Sequence, residues 1–133
     1  MTDCLGLLLV VAVTAANVGD REAATGLLGR LRELHRDILL VWADGGYTGA
    51  LVDWARQNLA LTVEVVKRTD DTKGFVVLPR RWVVERTLSW LMQSRRLCRD
   101  YETLTVTSEA MIQWSMITRM DRRLARPRAC GRR

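Results

Sequence analysis

Short apolar runs alternate with segments of helical spacing along the first half of the chain. Residues 5–13, 38–43 and 61–67 are rich in Leu and Val, which is typical of buried strands. Between these runs, apolar residues recur every three or four positions over 21–36 and 48–59, and this spacing predicts two helices. Strands that alternate with helices predict an α/β fold with a mostly parallel sheet.

The second half of the chain has the pattern of two further helices. A loop over 68–79 ends in Pro79, which suits the first turn of a helix because its missing N–H costs little there. We therefore predict helices over about 80–99 and 107–125. Three apolar positions of the first of these helices are expected to pack on the sheet: Val84, Leu88 and Leu91.

The apolar run at residues 5–13 also resembles the core of a secretory signal. However, Met1-Thr2-Asp3 carries no basic residue, and the run is shorter than the about 20 residues needed to span a bilayer. A buried strand is therefore the favoured interpretation, and no membrane association is expected. The three cysteines form no C-x-x-C pair, as expected for reduced thiols of a cytoplasmic protein: Cys4, Cys98 and Cys130.

Charge is distributed unevenly along the chain. With 48% hydrophobic and 27% charged residues, the composition is that of a globular protein and excludes wholesale disorder. Residues 1–79 hold 8 basic and 10 acidic side chains, whereas residues 80–133 hold 13 basic and 5 acidic ones. Nearly all of the basic residues are arginines, whose forked guanidinium groups suit phosphate. An anionic membrane or an acidic protein would also be compatible with this charge.

Three carboxylates stand at positions that could carry chemistry. Asp44 ends the predicted strand at 38–43 and precedes two glycines, Glu85 lies on the second turn of a predicted helix, and Asp3 lies near the chain start. Taken singly, Asp44 could be a turn former, Glu85 could pair with Arg81 on the helix surface, and Asp3 could be mobile. Taken together, three carboxylates near strand ends can hold two Mg²⁺ ions for phosphoryl transfer.

Several segments of the chain resemble a known family. The chain resembles the C-terminal part of the DDE transposases of bacterial insertion sequences, of the kind grouped with the IS-four and IS-five elements. The resemblance covers nearly the whole chain, up to about Pro127. Three segments carry it: V-W-A-D-G-G-Y-T-G at 41–49, G-F-V-V-L-P-R-R-W-V-V-E-R-T at 74–87, and R-R-L-C-R-D-Y-E at 95–102. The start at Asp3, D-C-L-G-L with the apolar run and A-N-V at 16–18, resembles the family's first acidic segment. The segment around R-W-V-V-E-R-T is far more specific than any single carboxylate.

The resemblance implies a fold, an activity and a set of site residues. It implies an RNase H-like mixed sheet flanked by helices, which over residues 1–126 is expected to lack its first strand. The basic tail at 127–133 is expected to be disordered. Asp3, Asp44 and Glu85 fall on the family's catalytic, metal-holding acids. Two Mg²⁺ or Mn²⁺ ions would then support DNA cleavage and strand transfer, the steps of DNA transposition and recombination, at the ends of the element.

Two positions depart from the family pattern. Arg81 matches the arginine of the motif around the glutamate, but Leu78 stands where a tyrosine often precedes that arginine. Met92 stands where a lysine often follows the glutamate, with Arg95 and Arg96 nearby as substitutes.

Family members also carry a long region before the first acid, which includes DNA-binding elements and a first strand. We therefore expect a truncated transposase of low activity. A catalytic carboxylate must be held within about 0.5 Å of its working position, and Asp3 at a free terminus is expected to be held loosely. The alternative is a DNA-binding remnant without catalysis. A receiver-like signalling domain fits less well, because it would need an acidic pair at the first strand.

Basic side chains around Glu85 are expected to contact the DNA backbone at the insertion-sequence ends, with a homo-oligomer possible in a synaptic complex. This predicted set comprises Lys67, Arg68, Lys73, Arg80, Arg81, Arg86, Arg95 and Arg96. An ordinary solvated helix face, paired with Asp100 and Glu102, is the alternative. The five tryptophans are expected in the core rather than stacked on bases: Trp42, Trp54, Trp82, Trp90 and Trp114.

Overall fold

The computed structural model describes residues 1–66, 81–99 and 101–125. Its helices and strands, in chain order, are α1 (Asp20–Leu34), β1 (Leu40–Ala43), α2 (Ala50–Leu59), β2 (Thr62–Val65), α3 (Arg81–Met92) and α4 (Thr105–Leu124). The chain divides into two compact units. The central unit is formed by the described residues of Thr14–Arg81, and the terminal unit by those of Met1–Val13 and Trp82–Arg133.

The central unit is a β-α-β arrangement in which β1 and β2 pair in parallel. Leu40 lies opposite Thr62, and the pairing continues to the ends of both strands. Helix α2 packs against α1 and β2, and the core of this unit is apolar: Ala24, Leu28, Leu31, Leu51, Ala55, Leu61 and Val63. The two helices and two strands predicted here are thus confirmed, with shorter strands than the apolar runs suggested.

The predicted strand at residues 5–13 is wrong. In the described residues the sheet has two strands, β1 and β2. Gly6 has a φ of 78°, and the chain reverses over residues 3–7, which we call the Asp3 turn. The run then pairs back on the chain start, because Thr2 forms an antiparallel bridge with Leu8 and the Met1 carbonyl accepts from the Leu9 amide at 3.0 Å.

Helix α3 is shorter than predicted and buries a different face. It ends at Met92, and the following turns are closed by local hydrogen bonds rather than by continued helix. Val84 and Leu88, expected to pack on the sheet, are both more than half exposed. Thr87 is 3% exposed instead, because this face of the helix packs on the Asp3 turn.

The tryptophans do not form the core. Trp42, Trp82 and Trp114 are exposed, the last at 70%, and Trp54 and Trp90 are half-buried. Polar partners explain part of this placement: the Trp42 indole donates to a Glu64 oxygen at 3.0 Å, and Trp82 and Trp90 lie beneath guanidinium groups. None of the helices described is both long and apolar enough to cross a membrane.

Replacing Leu31 by Ala is expected to destabilise the central unit by about 2–5 kcal/mol, since the substitution leaves a cavity in a packed core. Leu31 is 2% exposed, whereas Leu34, on the same helix, is 63% exposed. Leu34→Ala is therefore a matched control and is expected to change the unfolding free energy by less than about 0.5 kcal/mol. Urea unfolding followed by circular dichroism measures both variants, and equal losses would contradict the assigned core.

Candidate functional site

Asp3 is held firmly by its own turn. Its Oδ1 atom accepts hydrogen bonds from the backbone amides of Leu5 at 2.9 Å and Leu7 at 2.7 Å. Bonds from backbone N–H groups to an ionised carboxylate are short and strong, and aspartate commonly closes turns in this way. The expectation of a loosely held Asp3 is therefore wrong.

Helix α3 is fastened to the Asp3 turn by the two residues that follow Glu85. An Arg86 Nη2 atom donates to the Leu5 carbonyl at 2.6 Å, and the Thr87 hydroxyl donates to the Gly6 carbonyl at 2.7 Å. Both bonds join residues 81 positions apart in the chain. They bring the segment that carries Asp3 and the helix that carries Glu85 into contact within the terminal unit.

Gly6 is the position that makes this contact possible. Besides its positive φ, an added Cβ would lie 2.9 Å from Thr87 Oγ1 and 3.2 Å from Arg86 Nη2. Real Cβ atoms do not approach oxygen this closely without a shift of the neighbour, and the left-handed region also strains residues that carry a side chain. A glycine is therefore required where the turn meets α3.

Asp44 belongs to the central unit and directly follows β1. Its Oδ1 atom accepts from the Gly46 amide at 3.0 Å and so caps a short 3₁₀ turn, Gly45–Tyr47. Arg21 supports the same turn, because its Nε atom donates to the Gly46 carbonyl at 2.8 Å. Asp44 thus has the turn-forming role considered from sequence, and its exposed side chain stands at the carboxyl end of a parallel strand, where functional groups gather in α/β sheets.

The pKa of Tyr47 is affected by the charge of Asp44. Burial raises the pKa of its hydroxyl above the ordinary value, and the negative charges of Asp20 and Asp44 raise this pKa further. Both effects disfavour a phenolate, so the Tyr47 hydroxyl keeps its proton in the 3₁₀ turn that follows β1.

The three predicted metal-binding acids come from two units. Asp3 and Glu85 belong to the terminal unit and Asp44 to the central unit. Their carboxylate oxygens are the donor chemistry that Mg²⁺ and Mn²⁺ prefer. Within residues 1–66, 81–99 and 101–125, however, no group of three or more His, Cys, Asp or Glu side chains is placed to hold a metal ion.

The predicted DNA-binding residues differ in their surroundings. Arg86 contacts the Asp3 turn, and its guanidinium lies 4.2 Å from the centroid of the Trp82 ring. Arg95 is exposed, and Arg96 forms an ion pair with Glu102 at 2.6 Å, as the solvated-face interpretation expected. Asp100 and four residues of the set lie outside the described residues, and so does the side chain of Arg81. The four are Lys67, Arg68, Lys73 and Arg80.

Sequence reasoning missed several residues that shape the terminal unit. Gly6 and Thr87 hold the Asp3 turn, and Arg119 and Arg123 of α4 surround Trp90 together with Arg86. The four-residue spacing of Arg119 and Arg123 places them on one helix face, and this spacing could have predicted a basic patch on α4. No local pattern could pair Gly6 with Thr87, because the two are distant in sequence.

Comparison with known proteins identifies one family. A family model described as "Transposase DDE domain" matches residues 1–119, a span that includes Asp3, Asp44 and Glu85. This match confirms the resemblance to DDE transposases drawn from the sequence. No curated protein and no solved structure matches the chain.

Proposed function

The chain belongs to the transposase DDE domain family, and on that premise we propose that it catalyses metal-dependent DNA cleavage and strand transfer at insertion-sequence ends. The observation that carries the proposal is the double backbone anchoring of Asp3 together with the fastening of its turn to the helix of Glu85. Carboxylates that hold reacting groups must be fixed in position by the residues around them. The amides of Leu5 and Leu7 fix the Asp3 carboxylate in this way.

Asp3, Asp44 and Glu85 are the proposed catalytic carboxylates. Two Mg²⁺ or Mn²⁺ ions, when bound, supply stabilisation of the attacking and leaving oxygens during phosphoryl transfer. Asp3 and Asp44 each accept backbone N–H bonds on one oxygen, and an ionised carboxylate has further lone pairs for other partners. The protein's own contribution is thus to orient these carboxylates before DNA arrives.

The scaffold and partners follow from the same family membership. The parallel β-α-β arrangement of the central unit is compatible with an RNase H-like fold, which we propose as its architecture. DNA at the element's ends is the proposed partner, contacted by the predicted set of basic residues around Glu85. A homo-oligomer in a synaptic complex is proposed with it. A cytoplasmic location stays a prediction from the cysteine pattern.

A second candidate is a DNA-binding protein without catalysis. It is favoured by the structural roles of two of the carboxylates, since Asp3 closes its own turn and Asp44 caps a 3₁₀ turn. Under this alternative the arginines retain a role and the carboxylates serve only as turn and surface groups.

Metal dependence of DNA cleavage tests the proposal. The full chain, incubated with end-labelled duplex that carries the ends of its own element, is expected to produce nicked DNA with Mg²⁺ or Mn²⁺ and none with EDTA. Gel analysis measures the product, and Mn²⁺ binding is followed in parallel by electron paramagnetic resonance. DNA binding without cleavage and without bound Mn²⁺ would overturn the proposal in favour of the second candidate.

A further inference from the structure

Three guanidinium groups surround the ring of Trp90 in the terminal unit. The guanidinium carbons of Arg119, Arg86 and Arg123 lie 4.5, 5.0 and 5.1 Å from the ring centroid. We call these four residues the Trp90 cluster. It includes none of the three carboxylates, and two of its members, Arg119 and Arg123 of α4, lie outside the DNA-binding set predicted from the sequence.

The cluster is built by two helices that polar contacts hold together. Arg86 and Trp90 are four residues apart on α3, and Arg119 and Arg123 are four apart on α4, so each pair lies on one helix face. The Ser94 and Ser115 hydroxyls are 2.6 Å apart and join the turn after α3 to the middle of α4. Arg119 also donates to the Gln93 side-chain oxygen at 2.7 Å.

The cluster concentrates positive charge that the aromatic ring does not neutralise. The face of an indole ring attracts cations through its quadrupole, and this attraction gathers the guanidinium groups despite their mutual repulsion. Arg123 is exposed, and Arg86 and Arg119 are half-buried. An anion with several oxygens would relieve the repulsion, and phosphate oxygens match guanidinium N–H groups in pairs.

We propose that the Trp90 cluster binds a phosphodiester group of the DNA backbone. Trp90 follows Glu85 by five residues on α3, which separates the two backbone positions by about 7.5 Å along the helix axis and by about 140° around it. The inference rests on the proposed function in taking DNA as the partner, and it extends that function by adding α4 to the DNA-binding surface. Contacts to phosphate position a protein on DNA without reading its sequence.

Salt dependence of DNA binding by the full chain tests the inference. The double variant Arg119→Gln/Arg123→Gln is expected to bind a labelled duplex at least about tenfold more weakly, and the slope of log affinity against log salt is expected to fall by about 1 to 2. Fluorescence anisotropy over a KCl series measures both quantities. The loss of affinity should be equal for terminal-repeat duplexes and for duplexes of unrelated sequence, because both carry the same phosphates.

A charge-matched control separates a local contact from a loss of net charge. Arg36→Gln/Arg56→Gln removes the same two charges from exposed positions of the central unit and is expected to leave the salt slope near that of the parent chain. Arg119→Lys/Arg123→Lys keeps the charge without the planar fork and should recover part of the affinity. Equal losses in the two glutamine doubles, or no DNA binding by the parent chain at low salt, would overturn the inference.

The same variants distinguish failure of this inference from failure of the proposed function. Weakened binding by Arg119→Gln/Arg123→Gln in a chain that never cleaves DNA would support the cluster and refute catalysis. Cleavage by a parent chain whose salt slope the double variant leaves unchanged would support catalysis and refute the cluster. Anionic phospholipid vesicles provide a further arm: if the double variant loses vesicle binding while retaining DNA binding, the cluster recognises a membrane and the inference fails.

Discussion

Glu85→Gln is expected to lower the rate of metal-dependent DNA cleavage by on the order of 10²- to 10³-fold, because a neutral amide would hold Mg²⁺ less strongly and losing one source of transition-state charge stabilisation typically costs this much. Glutamine preserves the length of the side chain but removes its negative charge. Glu85 is exposed on α3, so the folded state is expected to change in stability by no more than about 0.5 kcal/mol. Single-turnover cleavage at saturating DNA measures the effect on the chemical step.

Two companion variants make this result specific to the proposed carboxylates. Glu22→Gln makes the same chemical change at an exposed position of α1 and is expected to leave cleavage unchanged. Asp44→Asn should reduce cleavage as strongly as Glu85→Gln, although an asparagine oxygen can still accept from the Gly46 amide and keep the cap of the 3₁₀ turn. Full cleavage by Asp44→Asn would remove this residue from the catalytic set.

The secondary structure that could be predicted from sequence is the part determined by local periodicity. Helices α1 and α2 and strands β1 and β2 were predicted because their apolar residues recur at the spacing of the element itself. The strand predicted at residues 5–13 is wrong for a physical reason. An apolar run becomes a strand only if it finds a partner strand, and here the reversal at Gly6 pairs it with the chain start.

The same distinction explains which parts of the candidate site were predictable. Asp44 was found because an aspartate before two glycines at the end of a strand marks a turn that a short sequence pattern defines. Asp3 is anchored by two amides of its own turn, a local arrangement that was missed because the run at 5–13 was interpreted as a strand. The fastening of that turn to α3 could not be predicted, because Arg86 and Thr87 lie 81 residues from the carbonyls that they contact. The tryptophans were misplaced because composition gives a side chain's apolar area but not the partners, such as Glu64, that keep it at the surface.

Gly6→Ala is expected to disturb the Asp3 turn and to reduce the rate of DNA cleavage by at least about tenfold. The reason is that a misplacement of about 1 Å at a reacting centre can cost on the order of 10²-fold in rate. The added Cβ would meet Thr87 Oγ1 at 2.9 Å at a position whose φ is 78°. The backbone strain alone is expected to cost about 1–3 kcal/mol of stability. Urea unfolding and cleavage of the same preparation measure the two effects separately.

Gly49→Ala is the matched control, because Gly49 also has a positive φ, of 85°, but an added Cβ there would meet nothing within 4 Å. Its loss of stability measures the strain of a side chain at a positive φ without a contact to α3. A loss of DNA cleavage that Gly6→Ala shows and Gly49→Ala does not would come from the contact with α3.

Thr87 provides a second test of the same contact. Thr87→Val leaves the Gly6 carbonyl without its hydroxyl donor and should lower cleavage, whereas Thr87→Ser retains the donor and should restore it. If the Val and Ser variants cleave DNA equally well while fully folded, the fastening of the turn to α3 has no part in positioning Asp3.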